Sequence, residues 1–261
     1  MTEVFDVITM GRIGVDLYPE QVGVALAEVT SFAKFLGGSP TNVAVAAARL
    51  GCRTAVVTKV GDDGFGPYVR GALRGFGVDD RWVGTDPDLR TPITFCEIFP
   101  PDHFPLLFYR QPSAPDLQLT PADLDRAAIT AAEVFWTTGT GLSSEPSRST
   151  TLAALATREG GITVHDLDHR PTFWDDQAEA GRWARVALGH ATVAVGNRDE
   201  VAVAVGRREP LDASAALLDL GVELAVVKLG SRGVLARTAD EIVEVPPIPV
   251  AVVNGLGAGD A

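Results

Sequence analysis

Residues 41–61 read TNVAVAAARLGCRTAVVTKVG, a helical pattern that leads directly into a strand pattern. Val43, Ala47 and Leu50 fall on one helical face, and Gly51 follows as a typical C-terminal stop. Residues 54–61 then form a mostly apolar run of strand length. A helix followed at once by a buried strand is the repeating unit of α/β proteins, so this stretch predicts that fold class.

The same alternation continues on both sides of this stretch. Strand patterns occur at 4–11, 132–139, 161–168, 191–197 and 223–230, and helical patterns occur at 62–77, 145–159, 174–189 and 210–221. This order predicts a mostly parallel central sheet with helices on both faces. Ligands of such sheets bind beyond the carboxyl ends of the strands, so residues that follow the strands are the first place to look for a site.

Two segments, residues 13–36 and 91–110, depart from the alternation. Both are rich in β-forming residues, are punctuated by Pro and Gly, and show no helical period. We interpret them as strands of a small sheet that projects from the main sheet and acts as a lid. The alternative is that they add edge strands to the main sheet. The core then consists of residues 1–12, 37–90 and 111–261.

Composition restricts the possible partners and compartment. The 261 residues carry a formal net charge of −12, which disfavours a nucleic-acid partner and means that local cations must hold any anionic substrate. Cys52 and Cys96 lack metal-binding spacing, which predicts unpaired thiols. The N-terminus does not resemble a signal peptide, and no apolar run approaches about 20 residues. We therefore expect a cytoplasmic protein with no membrane span.

Two candidate binding features lie near the first predicted strand. Residues 37–44, GGSPTNVA, place two glycines and a helix start beside Asn42, an arrangement suited to a hydroxylated or anionic ligand. A plain turn is the alternative for the two glycines. Asp16 follows the first strand at the edge where ligands bind, although an aspartate near a turn often only caps or is solvated.

Two further features follow later strands. GNRDE at 196–200 puts Asn197 and Glu200 three residues apart, where they could hold hydrated Mg²⁺ or contact phosphates, or could form a helix capping box. VKLGSRG at 227–233 places Lys228 next to Gly230 and Gly233. That loop allows close backbone approach to a ligand, and it also suits a hairpin turn; both can hold together.

The last residues, GLGAGDA at 255–261, suggest phosphoryl transfer. A helix that starts near Gly257 would point its first N–H groups at the negative charge that develops in this reaction. Asp260 in the first turn would stay ionised and could take the proton from an attacking hydroxyl. The alternative is that Asp260 only caps its helix. That alternative leaves the three small residues before Asp260 unexplained, because a cap does not require them.

Together and in this order, these motifs resemble the ribokinase-like (PfkB) family of sugar kinases. The first family signature fits GGSPTNVA, six residues, Gly51, nine residues and Gly61. The second fits NGLGAGD at 254–260, where Gly255 replaces the usual Thr, Ser, Val or Pro. The resemblance spans the whole chain. It implies a ribokinase-like three-layer α/β/α fold with a small β lid, and a kinase that uses ATP and Mg²⁺.

The resemblance also implies roles for individual residues. These are Asp260 as the base, Gly257, Ala258 and Gly259 as the anion hole, Asp16, Gly38 and Asn42 as sugar ligands, Asn197 and Glu200 as the phosphate and magnesium pair (magnesium through water), and Lys228, Gly230 and Gly233 as the lining of the nucleotide site. In DLDHR at 166–170, Asp168 stands where relatives often have Asn, which leaves the role of that position open.

Within the family, stretches such as GRIGVDLYPEQ at 11–21 and DLDHRPTFW at 166–174 look closest to kinases of keto-deoxy sugar acids. The leading substrate is 5-dehydro-2-deoxy-D-gluconate, phosphorylated at its 6-hydroxyl, and 2-keto-3-deoxygluconate is the alternative. A substrate carboxylate needs a cation, and Arg110 and Arg170 are the predicted partners. Either could instead be a surface arginine. Tyr109 is predicted to line the sugar face.

The resemblance raises three further expectations. Relatives continue for some tens of residues after the second signature, so we expect this chain to be a fragment with impaired activity, because an isolated helix start is poorly held. Relatives also suggest a homodimer through the lid and a monovalent cation. A non-catalytic sugar- or nucleotide-binding protein is the alternative from another class. A dinucleotide-dependent oxidoreductase is disfavoured, because GRIGVD lacks the G-x-G-x-x-G loop.

Overall fold

The structure is a computed structural model that describes residues 4–252, 254–255 and 257. The strands within this part of the chain are β1 (Val7–Met10), β2 (Gly14–Pro19), β3 (Phe32–Gly37), β4 (Thr54–Gly61), β5 (Val78–Asp79), β6 (Val83–Asp86), β7 (Ile93–Cys96), β8 (Leu106–Tyr109), β9 (Val134–Thr138), β10 (Ile162–Asp166), β11 (Val193–Asn197), β12 (Leu224–Lys228), β13 (Val234–Arg237) and β14 (Ile242–Val245). The α-helices are α1 (Ser39–Arg49), α2 (Phe65–Gly75), α3 (Arg126–Ala131), α4 (Ser147–Leu155), α5 (Gln177–Leu188), α6 (Arg198–Val205) and α7 (Pro210–Leu218).

The main sheet has the strand order β14-β13-β12-β11-β10-β9-β1-β4-β5, and β6 also pairs with β4. From β12 to β5 every pairing is parallel, with Val7 of β1 opposite Val134 of β9 on one side and Thr54 of β4 on the other. The antiparallel strands β13 and β14 complete one edge. The predicted fold class, α/β with a mostly parallel central sheet, is confirmed.

Helices cover both faces of this sheet, as the side chains of β4 show. Ala55 and Val57 belong to a buried cluster that includes residues of α3 and α4. Val56 and Val60, which point to the opposite face, belong to a second cluster with residues of α1 and α2. A third cluster packs α5, α6 and α7 against β11 and β12. The sheet is therefore the middle layer of an α/β/α arrangement.

The two irregular segments form a separate four-stranded sheet with the order β3-β2-β7-β8. β2 pairs antiparallel with β3 and parallel with β7, so that Asp16 lies opposite Phe35 and Thr94. β7 and β8 are antiparallel. These strands therefore do not extend the edges of the main sheet. The action of this second sheet as a lid, and pairing between subunits through it, stay predictions.

Two further findings concern membrane-spanning helices and the cysteines. Over the described residues, the fold holds no helix with both the length and the apolar character needed to cross a bilayer. Cys52 and Cys96 are both free thiols, and Cys96 is buried. Burial raises the pKa of the Cys96 thiol to about 12, with a smaller contribution from Asp16. Cys96 is therefore a structural apolar residue and not a nucleophile.

Candidate active site

A cavity of about 1050 Å³ lies where the parallel strands end, between the main sheet and the second sheet. Its lining includes Arg12 after β1, Asp166 and Asp168 at the end of β10, Asn197 at the end of β11, Lys228 at the end of β12, and Asp16, Thr94 and Phe108 from the second sheet. The cavity therefore occupies the edge at which α/β sheets bind ligands.

The double glycine at 37–38 shapes one wall of this cavity. A Cβ on Gly37 would overlap the Asp16 carboxylate, and a Cβ on Gly38 would overlap the Arg12 carbonyl oxygen. Gly38 also has φ +112°, a conformation that favours glycine. These two positions let the start of α1 pass close to the segment 12–16, and Asn42 in the first turn of α1 reaches the same cavity.

Charged groups at the end of β10 form a connected network. The Asp168 amide donates to Asp166 Oδ1 at 3.0 Å, and Lys228 Nζ donates to Asp166 Oδ2 at 3.3 Å. Arg170 Nη2 lies 2.8 Å from Asp168 Oδ1, whereas Arg12 Nη2 lies 4.0 Å from Asp168 Oδ2. Asp168 has φ +28°, an unusual backbone angle for a residue other than glycine. The position left open by the sequence thus holds a buried carboxylate between two guanidinium groups.

Asn197 and Glu200 form the capping box of α6. The Asn197 side chain accepts from the amides of Asp199 and Glu200 at 2.9 and 3.0 Å, and the Asn197 amide donates to Glu200 Oε2 at 2.8 Å. The other carboxylate oxygen of Glu200 lies 3.5 Å from Arg170 Nη1. Both side chains also line the cavity. The structure thus shows the capping box that was one of the two predictions for this pair. Because both side chains also line the cavity, the other prediction, contact with phosphates or hydrated Mg²⁺, stays a prediction.

Burial shifts the ionisation of the carboxylates in this network. It raises the pKa of Asp166 to about 7, against the opposing effect of Lys228 and with further raising by Asp168 and Glu200. Burial likewise raises the pKa of Glu200, while the hydrogen bond from the Asn197 amide lowers it. Carboxylates at the floor of the cavity are thus poorly solvated, which is typical of a ligand site.

The structure brings most of the predicted site residues to one cavity. Those that line it are Asp16, Gly38, Asn42, Arg170, Asn197, Glu200, Lys228, Gly230, Gly233 and Gly257. An ideal Cβ on Gly257 would lie 3.8 Å from Asn42 Nδ2, so the C-terminal motif approaches the start of α1. Ala258, Gly259 and Asp260 lie outside the described residues, and their predicted roles stay predictions.

Tyr109 and Arg110 are placed differently from the prediction, because neither is among the described residues that line the cavity. Tyr109 is exposed and packs edge-on against Phe95 at 5.4 Å. Arg110 is buried, and its Nη1 and Nη2 donate to the two carboxylate oxygens of Asp116 at 3.2 and 2.8 Å. The proposed contact with a substrate carboxylate is therefore corrected for Arg110, since a substrate would have to displace Asp116.

Sequence reasoning missed Arg12, Asp166 and Phe108 as lining residues. Arg12 comes two residues after β1 and Asp166 is the last residue of β10, so both stand at the ligand-binding edge. The rule that directed attention to Asp16 also applies to them. Phe108 gave no comparable signal, because its approach to the cavity depends on how the second sheet folds over the main sheet.

Comparisons with known proteins agree with this geometry. The description "pfkB family carbohydrate kinase" matches residues 4–261. The chain is 35% identical over 236 residues to the 5-dehydro-2-deoxygluconokinase of Photobacterium profundum, covering 87% of this chain and 71% of that protein. It is 34% identical over 267 residues to the protein of the same name from Lacticaseibacillus casei, covering 100% and 82%.

A solved structure of a sugar kinase also resembles this chain in fold. A fructokinase double mutant from Vibrio cholerae O395, bound to fructose, ADP and potassium ion, superposes with a TM-score of 0.87 at 28% identity, covering 100% of this chain and 82% of that one. The predicted enzyme class, an ATP-dependent sugar kinase, is confirmed by this agreement of sequence and fold. The chain belongs to the pfkB family of carbohydrate kinases.

Proposed function

We propose that the protein transfers the γ-phosphoryl group of ATP to the 6-hydroxyl of 5-dehydro-2-deoxy-D-gluconate. The observation that carries this proposal is the cavity that unites the residues predicted for sugar and for nucleotide. Asp16 and Asn42 lie on one wall, and Lys228 and Gly230 lie on another. The names of the relatives at 34–35% identity support this choice of substrate.

The two walls suit the two substrates chemically. Asp16 of β2 and Asn42 of α1 offer carboxylate and amide groups that can bind the hydroxyls of a sugar. The opposite wall, after β12, combines Lys228 with the turn at Gly230, where φ is +62° and an added Cβ would meet open space. That wall offers a cation and an unobstructed backbone for nucleotide phosphates.

Asp260 is the proposed general base. It takes the proton of the 6-hydroxyl while that oxygen attacks the γ-phosphorus, and the bond from the γ-phosphorus to the bridging oxygen breaks to release ADP. The amides of Gly257, Ala258 and Gly259 would stabilise the charge that builds up on the transferred group. The approach of Gly257 to Asn42 supports this arrangement, because it brings the motif to the sugar wall.

Mg²⁺ would be held at this site mainly by the phosphates of the nucleotide and not by protein side chains. No group of three or more Asp, Glu, His or Cys side chains suited to a metal ion is found among the described residues. Glu200 lines the cavity, but one of its oxygens accepts from the Asn197 amide and the other lies near Arg170. Mg²⁺ keeps several waters and binds phosphates readily, so Glu200 would contact it through a bound water. The ion would neutralise phosphate charge, and a monovalent cation stays a prediction.

Replacement of the base tests this mechanism. In Asp260→Asn we expect kcat to fall by about 10²- to 10⁴-fold, because proton removal from the hydroxyl loses its acceptor. ATP affinity should stay near the wild-type value, since the side chain acts on the sugar. Asp240→Asn, at an exposed aspartate of the β13–β14 turn, is the matched control.

Three outcomes separate the alternatives. A rate retained in Asp260→Asn contradicts the assigned base. ATP binding without any phosphoryl transfer, unchanged by Asp260→Asn, favours a non-catalytic binding protein. A higher kcat/KM for 2-keto-3-deoxygluconate than for 5-dehydro-2-deoxy-D-gluconate favours the sibling kinase, because the same carboxylate argument serves both acids.

A further inference from the structure

Arg12 is a buried cation with incomplete partners at the wall of the cavity. It is 9% exposed, and its Nε atom is buried without a hydrogen-bond partner among the described residues. Its ion-pair contact is with Asp168, at 4.0 Å. A buried guanidinium that lines a cavity and has its carboxylate partner 4.0 Å away is incompletely compensated, so an anion bound in the cavity would complete it.

The neighbouring arginines lie closer to their carboxylate partners than Arg12 does. Arg110 has two hydrogen bonds to Asp116, and Arg170 contacts Asp168 at 2.8 Å and Glu200 at 3.5 Å. Burial lowers the pKa of the Arg12 guanidinium, Asp168 raises it, and Arg110 and Arg170 lower it further. Arg12 and Arg170 therefore share the negative charge of Asp168, and Arg170 lies closer to that carboxylate than Arg12 does.

The backbone of Arg12 is held in place from three sides. Thr41 Oγ1 donates to the Arg12 carbonyl at 3.4 Å, and Thr58 Oγ1 donates to the carbonyl of the preceding Gly11 at 2.7 Å. Gly38 packs against the same Arg12 carbonyl. The guanidinium carbon lies 5.6 Å from the ring centre of Phe108, which also lines the cavity. The backbone that carries the Arg12 side chain is thus fixed beside the cavity before a ligand arrives.

We propose that Arg12 binds the carboxylate of the sugar-acid substrate and so selects acids over neutral sugars. This inference rests on the proposed function and adds the residue that determines its specificity. A guanidinium matches a carboxylate with two parallel hydrogen bonds, which a neutral sugar cannot accept in the same way. Arg170 assists from the same wall, while its contacts to Asp168 and Glu200 remain.

The test compares Arg12→Gln and Arg12→Lys with the wild type on 5-dehydro-2-deoxy-D-gluconate and on fructose. In Arg12→Gln we expect KM for the acid to rise about 10- to 100-fold, because two charge-assisted hydrogen bonds are lost. KM for ATP should change less than about twofold, and the preference for the acid over fructose should fall by the same factor as the acid KM rises. Arg12→Lys should recover part of the preference, since it keeps the charge but not the fork.

A matched control and a binding measurement keep the result clear. Arg90→Gln removes an exposed arginine and should leave all constants unchanged. Calorimetric titration of the acid into each variant reports affinity independently of turnover. A wild type that prefers fructose overturns the proposed function. A wild type that prefers the acid, together with an unchanged preference in Arg12→Gln, overturns the role of Arg12 alone.

Discussion

Arg110 and Arg12 are almost equally buried, at 8% and 9% exposure, yet their surroundings differ. Arg110 and Asp116 form a closed pair, in which Nη1 and Nη2 of Arg110 donate to the carboxylate of Asp116, a residue that is 2% exposed. Arg12 instead belongs to an open cluster, Arg12, Asp168, Arg170 and Glu200, that borders the cavity. Burial of a charged side chain therefore does not by itself indicate a ligand-binding site. A buried charge indicates such a site when the chain supplies no carboxylate close enough to neutralise it.

The closed pair and the open cluster also lie at different places in the fold. The closed pair connects the residue after β8 with the short turn at Pro115–Gln118, and Arg110 lies 4.9 Å from the ring centre of Phe173. It fastens the second sheet to the core. The open cluster lies at the carboxyl edge of the main sheet, the edge at which α/β sheets bind ligands. One region thus uses a buried charge for structure, and the other leaves a charge available for binding.

Breaking the closed pair should give the largest loss of stability. We expect Asp116→Ala to lower the free energy of unfolding by about 3–5 kcal/mol, because it leaves Arg110 buried without its partner. Urea-induced unfolding measures this loss. The double variant Arg110→Met with Asp116→Leu should recover most of it, since apolar side chains of similar volume replace both charges.

The matched variant in the open cluster is Arg12→Met. Its unfolding free energy should change by less than about 1 kcal/mol, because Asp168 keeps Arg170 at 2.8 Å and the desolvation cost of Arg12 disappears. Equal losses in Asp116→Ala and Arg12→Met would contradict the distinction between a closed pair and an open cluster.

A third way to bury an ionisable group is to disfavour its charged form, and β10 carries two examples. His165 is fully buried with Nδ1 2.9 Å from Thr137 Oγ1, and burial lowers its pKa to about 4. Asp166, on the opposite face, has its pKa raised to about 7 by burial. The native state binds fewer protons than the unfolded state at His165 and more at Asp166, so their effects on stability have opposite signs.

The next prediction concerns the pH dependence of stability. Below the usual histidine pKa of 6.5, the unfolded state gains a proton that native His165 refuses, so stability falls as pH falls toward 4, by about 3 kcal/mol. His165→Gln should remove this loss, so the stability of the wild type relative to the variant should rise between pH 4 and 6.5. Urea unfolding at several pH values measures the difference.

Asp166→Asn serves as the opposing control. A carboxyl with a raised native pKa favours the folded state at low pH and loses that advantage as pH rises toward 7. The stability of the wild type relative to Asp166→Asn should therefore fall across the same range. If both differences move in one direction with pH, burial does not shift the pKa of at least one of the two groups in the stated direction.

Much of the fold follows from local pattern. β4 spans Thr54–Gly61, the same residues as the predicted run, because a long apolar strand between a helix stop and a helix start has clear limits. β13 continues the predicted hairpin after Lys228. For α6 the sequence offered only a capping box as one of two interpretations of Asn197 and Glu200, since the eight residues of the helix are too few to show a strong period. β5 has two residues and gives no pattern that sequence reasoning can detect.

The site was predictable in position but not in every side chain. Strand ends located Asp16, Asn197 and Lys228, which all reach the cavity. The roles of the arginines depended on partners that the pattern does not show. Asp116, only six residues after Arg110, takes its guanidinium because the intervening chain turns back. Arg12 lacks a close carboxylate partner because Asp168 lies nearer to Arg170 than to Arg12. Only tertiary packing decides which arginine Asp168 approaches.

The smallest predicted effect separates two interpretations of Asn197. Asn197→Ala removes the cap of α6, and Asp176→Ala removes the cap of α5, where Asp176 Oδ1 accepts from the Ala178 amide at 3.0 Å. Each should lower the unfolding free energy by about 1 kcal/mol, because each leaves helix amides without an acceptor. Of these two caps, Asn197 alone lines the cavity, so only its removal should weaken ATP binding.

Calorimetric titration of ATP into both variants decides whether Asn197 only caps α6 or also contacts ATP. We expect the Kd for ATP to rise several-fold in Asn197→Ala, since a hydrogen-bonding group at the phosphates is lost, and to stay unchanged in Asp176→Ala. Equal stability losses with an unchanged Kd in both variants would show that Asn197 serves α6 alone. Asn197 would then resemble Arg110, a polar group whose partners the fold supplies, and not Arg12, whose carboxylate partner lies 4.0 Å away at the cavity.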